Sequence, residues 1–147
     1  MTPAEAITRG IASRIEASGA TIPVESLLLM ALEGEKKTSA SSGIVVECHV
    51  AEQPSEPVAE FAFDVAVRIA ASLDDDKSGR LFAENYEAVW NALLHFVRGD
   101  ACRALGSGSF SANGFYLTGG EAPDYQSGEN GGTWTTTFTA TVAGHVA

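Results

Sequence analysis

The sequence predicts an α+β domain: a mostly antiparallel four-stranded sheet carrying N-terminal helices and one long amphipathic helix, in the order α-α-β-β-α-β-β. Three observations lead there. The apolar residues of FAFDVAVRIAAS and TWTTTFTATVA recur every second position, the period of a strand with one wet face. Those of residues 81–98 recur at helical spacing instead. The hydrophobic share of 45% and charged share of 19% over 147 residues describe one globular domain with a core of its own.

The elements follow in order. Thr2-Pro3-Ala4-Glu5 reads as a helix start, with Thr2 as cap, Pro3 at the first helical position and Glu5 closing a capping box. Ile7, Ile11 and Ile15 then form a stripe that ends near Gly19. VESLLLMALEGEKK reads as a second short helix, its LLL run compatible with a strand as well, and TSASSG as a flexible connection, so that residues 1–37 form a helical part and 43–143 the α+β core. From Gly43 the period is two. Ile44, Val46, Cys48 and Val50 alternate with Val45, Glu47, His49 and Ala51, and a short polar link leads to the strand at Phe61–Ser72. That short link favours antiparallel pairing. On the helix of residues 81–98, Phe82, Tyr86, Val89, Trp90, Leu93, Phe96 and Val97 share an arc of about 120°, with Trp90 near its centre and His95 opposite. Gly99 stops it. FSANGFYLT and TWTTTFTATVA close the chain, and GGEAPDYQSGENGG between them reads as a long mobile loop.

Charge narrows the function. A formal charge of −10, with no Lys or Arg after Arg103, disfavours attraction to nucleic acid or an anionic membrane. The N-terminus lacks the basic-then-apolar pattern of a signal peptide, and no stretch supplies the ~20 apolar residues of a membrane helix. Cys48 and Cys102 make no disulfide framework and read as buried free thiols of a reducing compartment.

One motif raises the question of a ligand. DDDKSGRLFAEN, residues 74–85, places Asp74, Asp76 and Ser78 at the first, third and fifth positions of a calcium loop, Gly79 at the sixth and Leu81 at the eighth. The twelfth residue, which should be a bidentate Glu, is Asn85, and a strand rather than a helix enters the loop. The stretch therefore reads as an acidic turn. Cys48 and His49 point to opposite faces of a strand and cannot grip one metal together, and the histidines show no ligand spacing. GSGSF lacks the second glycine and context of a nucleophile elbow, and no phosphate loop is present. The expectation is no catalytic residues, no metal, no cofactor and no enzymatic activity. The competing reading is a monomeric acidic ligand-binding module of calcium type.

Two features point to contact instead. The outer sheet faces carry small residues, Ala62, Ala66 and Ala70, then Thr135, Thr137 and Thr139. EQPSEP and GGEAPDYQSGENGG are longer than a strand connection requires, which makes Gln53, Glu56, Glu121, Asp124, Tyr125 and Glu129 the candidate assembly contacts.

The run GIVVECHVAEQ, FAFDVAVRIAAS, DDDKSG, LFAENYEAVWNALLHFV, SANGFYLTGGE, a Gly-rich segment and TWTTTFTATVA resembles the tail terminators and related head-to-tail connection (neck) proteins of long-tailed bacteriophages, over roughly Gly43–Ala143. The resemblance implies a structural virion protein, assembled in the host cytoplasm. It would form a ring of identical copies, commonly a hexamer, at the head-proximal end of the tail tube. Its partners would be further copies of itself, the tail tube protein and the head-completion or connector protein, with genome DNA passing through the lumen without specific binding. Other neck or minor tail components share these implications. An acidic lining would let DNA slide, where a basic one would hold it.

Overall fold

The computed structural model describes residues 2–27, 42–52, 60–72, 79–108, 110–128 and 131–146. Nine elements follow in order: α1 (Pro3–Ala17), β1 (Val24–Leu27), β2 (Gly43–Glu52), β3 (Glu60–Ser72), α2 (Arg80–Val97), a short 3₁₀ turn at Ala101–Leu105, β4 (Phe110–Gly120), β5 (Asp124–Gly128) and β6 (Gly131–Val146). The sheet runs β1-β2-β3-β6-β4, with β5 also paired to β6. Every pairing is antiparallel except that of β1 with β2. Among the described residues no helix is long and apolar enough to cross a membrane.

Helix α1 forms for the predicted reasons. Thr2 takes an extended conformation and its hydroxyl accepts the Glu5 N–H at 3.2 Å. Ile7, Ile11 and Ile15 are wholly buried against the sheet, and Gly19 at φ 106° turns the chain away. The first residues of the expected second helix take another form. Val24–Leu27 is a strand parallel to β2, held by Ile44 N–H donating to the Pro23 carbonyl at 2.8 Å. A β-branched start and a short apolar run suit an edge strand as well as a helix. The remainder of that segment, residues 28–41, lies outside the described residues.

Strands β2, β3 and β6 build the core face. Ile44, Val46 and Cys48 lie beside Ile69, Val67 and Val65, which in turn meet Thr136, Phe138 and Ala140. Both helices cover this face, and the apolar residues make one continuous core. The expected four strands become six because β1 and β5 join them. On the opposite face Glu47 is buried despite its charge and pairs with the half-exposed Arg68 at 3.7 Å.

Helix α2 begins directly after Gly79, whose φ of 79° only glycine adopts without strain, and ends before Gly99 at φ 54°. Its buried residues are Phe82, Asn85, Ala88, Val89, Ala92, Leu93 and Phe96. Trp90 and Val97, expected in the core, are 40% and 43% exposed. The buried arc is turned toward Asn85, Ala88 and Ala92, small residues that allow close packing on α1. Trp90 is thereby rotated to the rim. His95, expected to be fully exposed, is half-buried with its ring edge-on to Phe96 at 5.2 Å.

Candidate functional site

The segment expected to be a mobile loop is largely strand. β4, residues 121–123 and β5 form one interrupted strand along β6, from Phe110 opposite Val146 to Gly128 opposite Gly131. At the interruption the ladder is bridged twice: Glu121 N–H donates to the Thr137 carbonyl at 2.9 Å, and the Thr136 hydroxyl donates to the Glu121 carbonyl at 2.7 Å. The glycines that read as loop residues make room for rings. A side chain at Gly132 would collide with the Tyr125 ring, and one at Gly144 with Phe110 and the Ser111 carbonyl.

This hairpin completes a chain of aromatic rings along the junction with α2. Tyr125 lies 5.3 Å from Trp134, and Trp134 lies 6.0 Å from Phe82. Phe82 then meets Tyr86 at 6.0 Å, Tyr86 meets Phe138 at 5.1 Å, and Phe138 meets Trp90 at 5.9 Å. The inner members are buried or half-buried, while Tyr125 and Trp90 at the two ends are 43% and 40% exposed. Beside Trp90 the chain borders an open groove of about 520 Å³. Its walls are Tyr86, Trp90 and Phe138 on one side and residues 117–123 on the other. Glu121 is the only charged residue in its lining, and the neighbouring Asp124 and Glu87 are exposed. A groove of this composition offers ring faces and negative charge together.

Of the candidate contacts, Glu121, Asp124 and Tyr125 fall at this place and are exposed. Gln53, Glu56 and Glu129 lie outside the described residues. Tyr86, Trp90 and Phe138 were not among them, because their helical and strand periods assign all three to the core. At about 100° per residue Leu93, not Trp90, is the centre of the expected arc and Trp90 its edge, and the buried Asn85, Ala88 and Ala92 extend the arc on the side away from Trp90.

The calcium-loop positions are settled only at their end. Asp74, Asp76 and Ser78 lie outside the described residues, but Asn85 is wholly buried in the second turn of α2. Its amide oxygen accepts the N–H groups of Thr21 at 2.8 Å and Ile22 at 3.4 Å. Its amide nitrogen donates to the Thr21 hydroxyl at 2.9 Å and the Leu81 carbonyl at 2.8 Å. Asn85 ties α2 to the segment after α1, and both atoms of its amide are engaged there. Among the described residues no three His, Cys, Asp or Glu side chains gather as a metal site. Cys48 and Cys102 are both buried and free. Burial, with a smaller contribution from the Asp64 charge, pushes the Cys48 thiol up to about 12, leaving it protonated at neutral pH.

With this geometry in view, the chain was compared with known proteins. No protein-family model matches it, and no curated protein matches by sequence. Among solved structures, a chain from the virion of a native gene transfer agent particle overlays on it with a TM-score of 0.58. That overlay covers 97% of this chain and 96% of the other, at 12% identity. The two chains share a fold. A second solved chain reaches a TM-score of 0.49 at 16% identity over 94% of this chain and 91% of its own, too loose an overlay to add to the comparison.

Proposed function

We propose that this chain is a structural component of a phage-like virion, acting as a tail terminator-like ring that ends the tail tube and joins it to the head. The observation that carries the reading is the overlay on a virion chain along nearly the whole of both molecules. An overlay of 97% of one chain on 96% of the other favours the same kind of building block over a shared short motif.

The surface chemistry supports assembly in this role. The outer sheet face presents Ala62, Ala66 and Ala70 opposite Ala143, Thr139 and Thr135 on the neighbouring strand, with the exposed Asp64 and Arg68 between them. Such a face offers a second subunit small residues for close approach and charges for pairing. Identical chains arranged head to tail must close their contacts, and a ring does so. Further copies of the chain, the tail tube protein and a head-completion protein are the partners this role requires. The acidic balance, −10 overall, suits a channel from which DNA has to slide freely. The role includes no catalytic step. The calcium-type module is the weaker reading, because Asn85 is committed to the Thr21–Ile22 backbone.

The reading is tested by deleting the gene in the element that encodes it and imaging the particles produced. Unjoined heads and tails, with tubes of irregular length, are expected, and the wild-type gene supplied in trans restores complete particles. Complete, infectious particles without this chain would overturn the reading.

A further inference from the structure

The proposed ring uses the sheet face, whereas the aromatic groove lies on the helix side and no side chain of the described residues fills it. From its lining we infer that the groove is a docking site for a cationic segment of a different polypeptide, with an arginine or lysine side chain laid over the rings of Trp90 and Tyr86 and its charge directed at Glu121. This goes beyond the assembly role by naming the chemistry of one partner, and it stands or falls separately from that role.

Three observations carry it. Three rings from two elements meet at the groove, Tyr86 and Trp90 from α2 and Phe138 from β6, with Phe138 lying between Tyr86 at 5.1 Å and Trp90 at 5.9 Å, while 40% of Trp90 is open to solvent. A tryptophan face is the strongest natural partner for a guanidinium or ammonium group. The charge at the groove has one sign. Glu121 is the one charged residue of the lining, the exposed Asp124 and Glu87 adjoin lining residues in sequence, and no Lys or Arg follows Arg103 in the sequence. Negative charge beside ring faces complements a cation and repels an acidic segment.

The third observation selects a foreign partner over a second copy. In the proposed assembly copies meet through the outer sheet face, so the groove on the helix side is not the contact between them, and a chain of net charge −10 is itself a poor donor of cations. Four of its arginines already face acids in the same chain: Arg9 with Glu5, Arg68 with Glu47, Arg80 with Glu84 and Arg103 with Asp100. A basic segment of another protein meets neither obstacle.

The test follows the two tryptophan indole N–H resonances of the intact protein by NMR. The probes are the peptide acetyl-Gly-Arg-Leu-Arg-Gly-amide and its counterpart with glutamate in place of both arginines. The arginine peptide is expected to shift the Trp90 resonance saturably and to leave that of Trp134 nearly unmoved, with an affinity that falls as salt is raised. Glu121→Lys should weaken binding roughly fivefold to tenfold, the effect of losing one charged contact. Its backbone bonds to Thr136 and Thr137 do not depend on the side chain, so the variant is expected to fold. The inference is overturned by an unmoved Trp90 signal at millimolar arginine peptide, by an equal response to the glutamate peptide, or by unchanged affinity in Glu121→Lys. Light scattering supplies the remaining outcome: an oligomer dispersed by Trp90→Ala would put a second copy in the groove and overturn the choice of a foreign partner.

Discussion

Asn85 is the residue at which the fold and the calcium-loop pattern make opposite demands, and replacing it separates them. Its side chain makes hydrogen bonds to Thr21, Ile22 and Leu81 from a wholly buried position. Asn85→Ala leaves the Ile22 N–H without its side-chain partner in the interior, at a cost of about 1–3 kcal/mol for a buried unpaired group. The Thr21 backbone is near solvent and recovers part of its loss from water. Adding the small cavity, the expected destabilisation is about 2–4 kcal/mol, a large part of an ordinary domain stability of ~5–15 kcal/mol. Asn85→Glu restores the calcium-loop consensus on paper, but it forces a longer carboxylate into the contact with Thr21. It should destabilise at least as much as Asn85→Ala. Urea unfolding with and without calcium reads both effects. A genuine loop with a dissociation constant of ~10⁻⁵ M would gain about 2.7 kcal/mol at ~1 mM calcium. No gain is expected in wild type or in Asn85→Glu. The reasoning is refuted if Asn85→Ala stays within about 0.5 kcal/mol of wild type, the range of ordinary surface changes, or if calcium raises the unfolding midpoint.

Other predictions follow from burial. Leu93→Ala should cost about 2–5 kcal/mol in urea unfolding, and Trp90→Ala distinctly less, because Leu93 is wholly buried while Trp90 is 40% exposed; equal losses would contradict the assigned helix orientation. Tyr125→Ala should lower stability by about 0.5–1.5 kcal/mol through loss of its contact with Trp134, and a Gly-Ser link in place of residues 121–130 should lower the melting temperature further; an unchanged melting temperature would mean that β5 contributes nothing. Cys48 should resist thiol reagents in the native protein at neutral pH and react after denaturation. Its thiol is held up to about 12 in the folded state against the 9.0 of an ordinary cysteine, so the folded state keeps the proton that the unfolded chain gives up. The stabilisation is fully present below pH 9 and is lost as pH rises toward 12, a change on the order of 4 kcal/mol. Cys48→Ala should flatten that part of the pH–stability curve, and an unaltered alkaline slope would contradict the assignment.

Much of the fold was legible because periodicity reports which face is buried. The Thr2 cap, the isoleucine stripe, β3 and β6 with their inward residues, and the span of α2 all follow from local spacing. What was missed has physical causes. The segment at Val24–Leu27 became a strand because a parallel edge was available beside β2, and no local pattern contains that. The Gly-rich hairpin looked flexible because glycine is a poor strand former in isolation, whereas here Gly132 leaves space for the Tyr125 ring. The direction of α2 was misjudged because the large residues were weighted over the small ones. Ala88, Ala92 and Asn85 lie where the helices approach closely, so the larger Trp90 was left at the rim. The same error hid the groove, in whose lining Glu121 is the one residue that had been named as a candidate contact.

The central claim, a structural place in a virion, is tested most directly by quantitative mass spectrometry of gradient-purified particles made by the element that encodes this chain. The account predicts that its peptides co-purify with particles at a small, fixed number of copies and survive a high-salt wash. Particles that contain their tail and head proteins but none of this chain would contradict it.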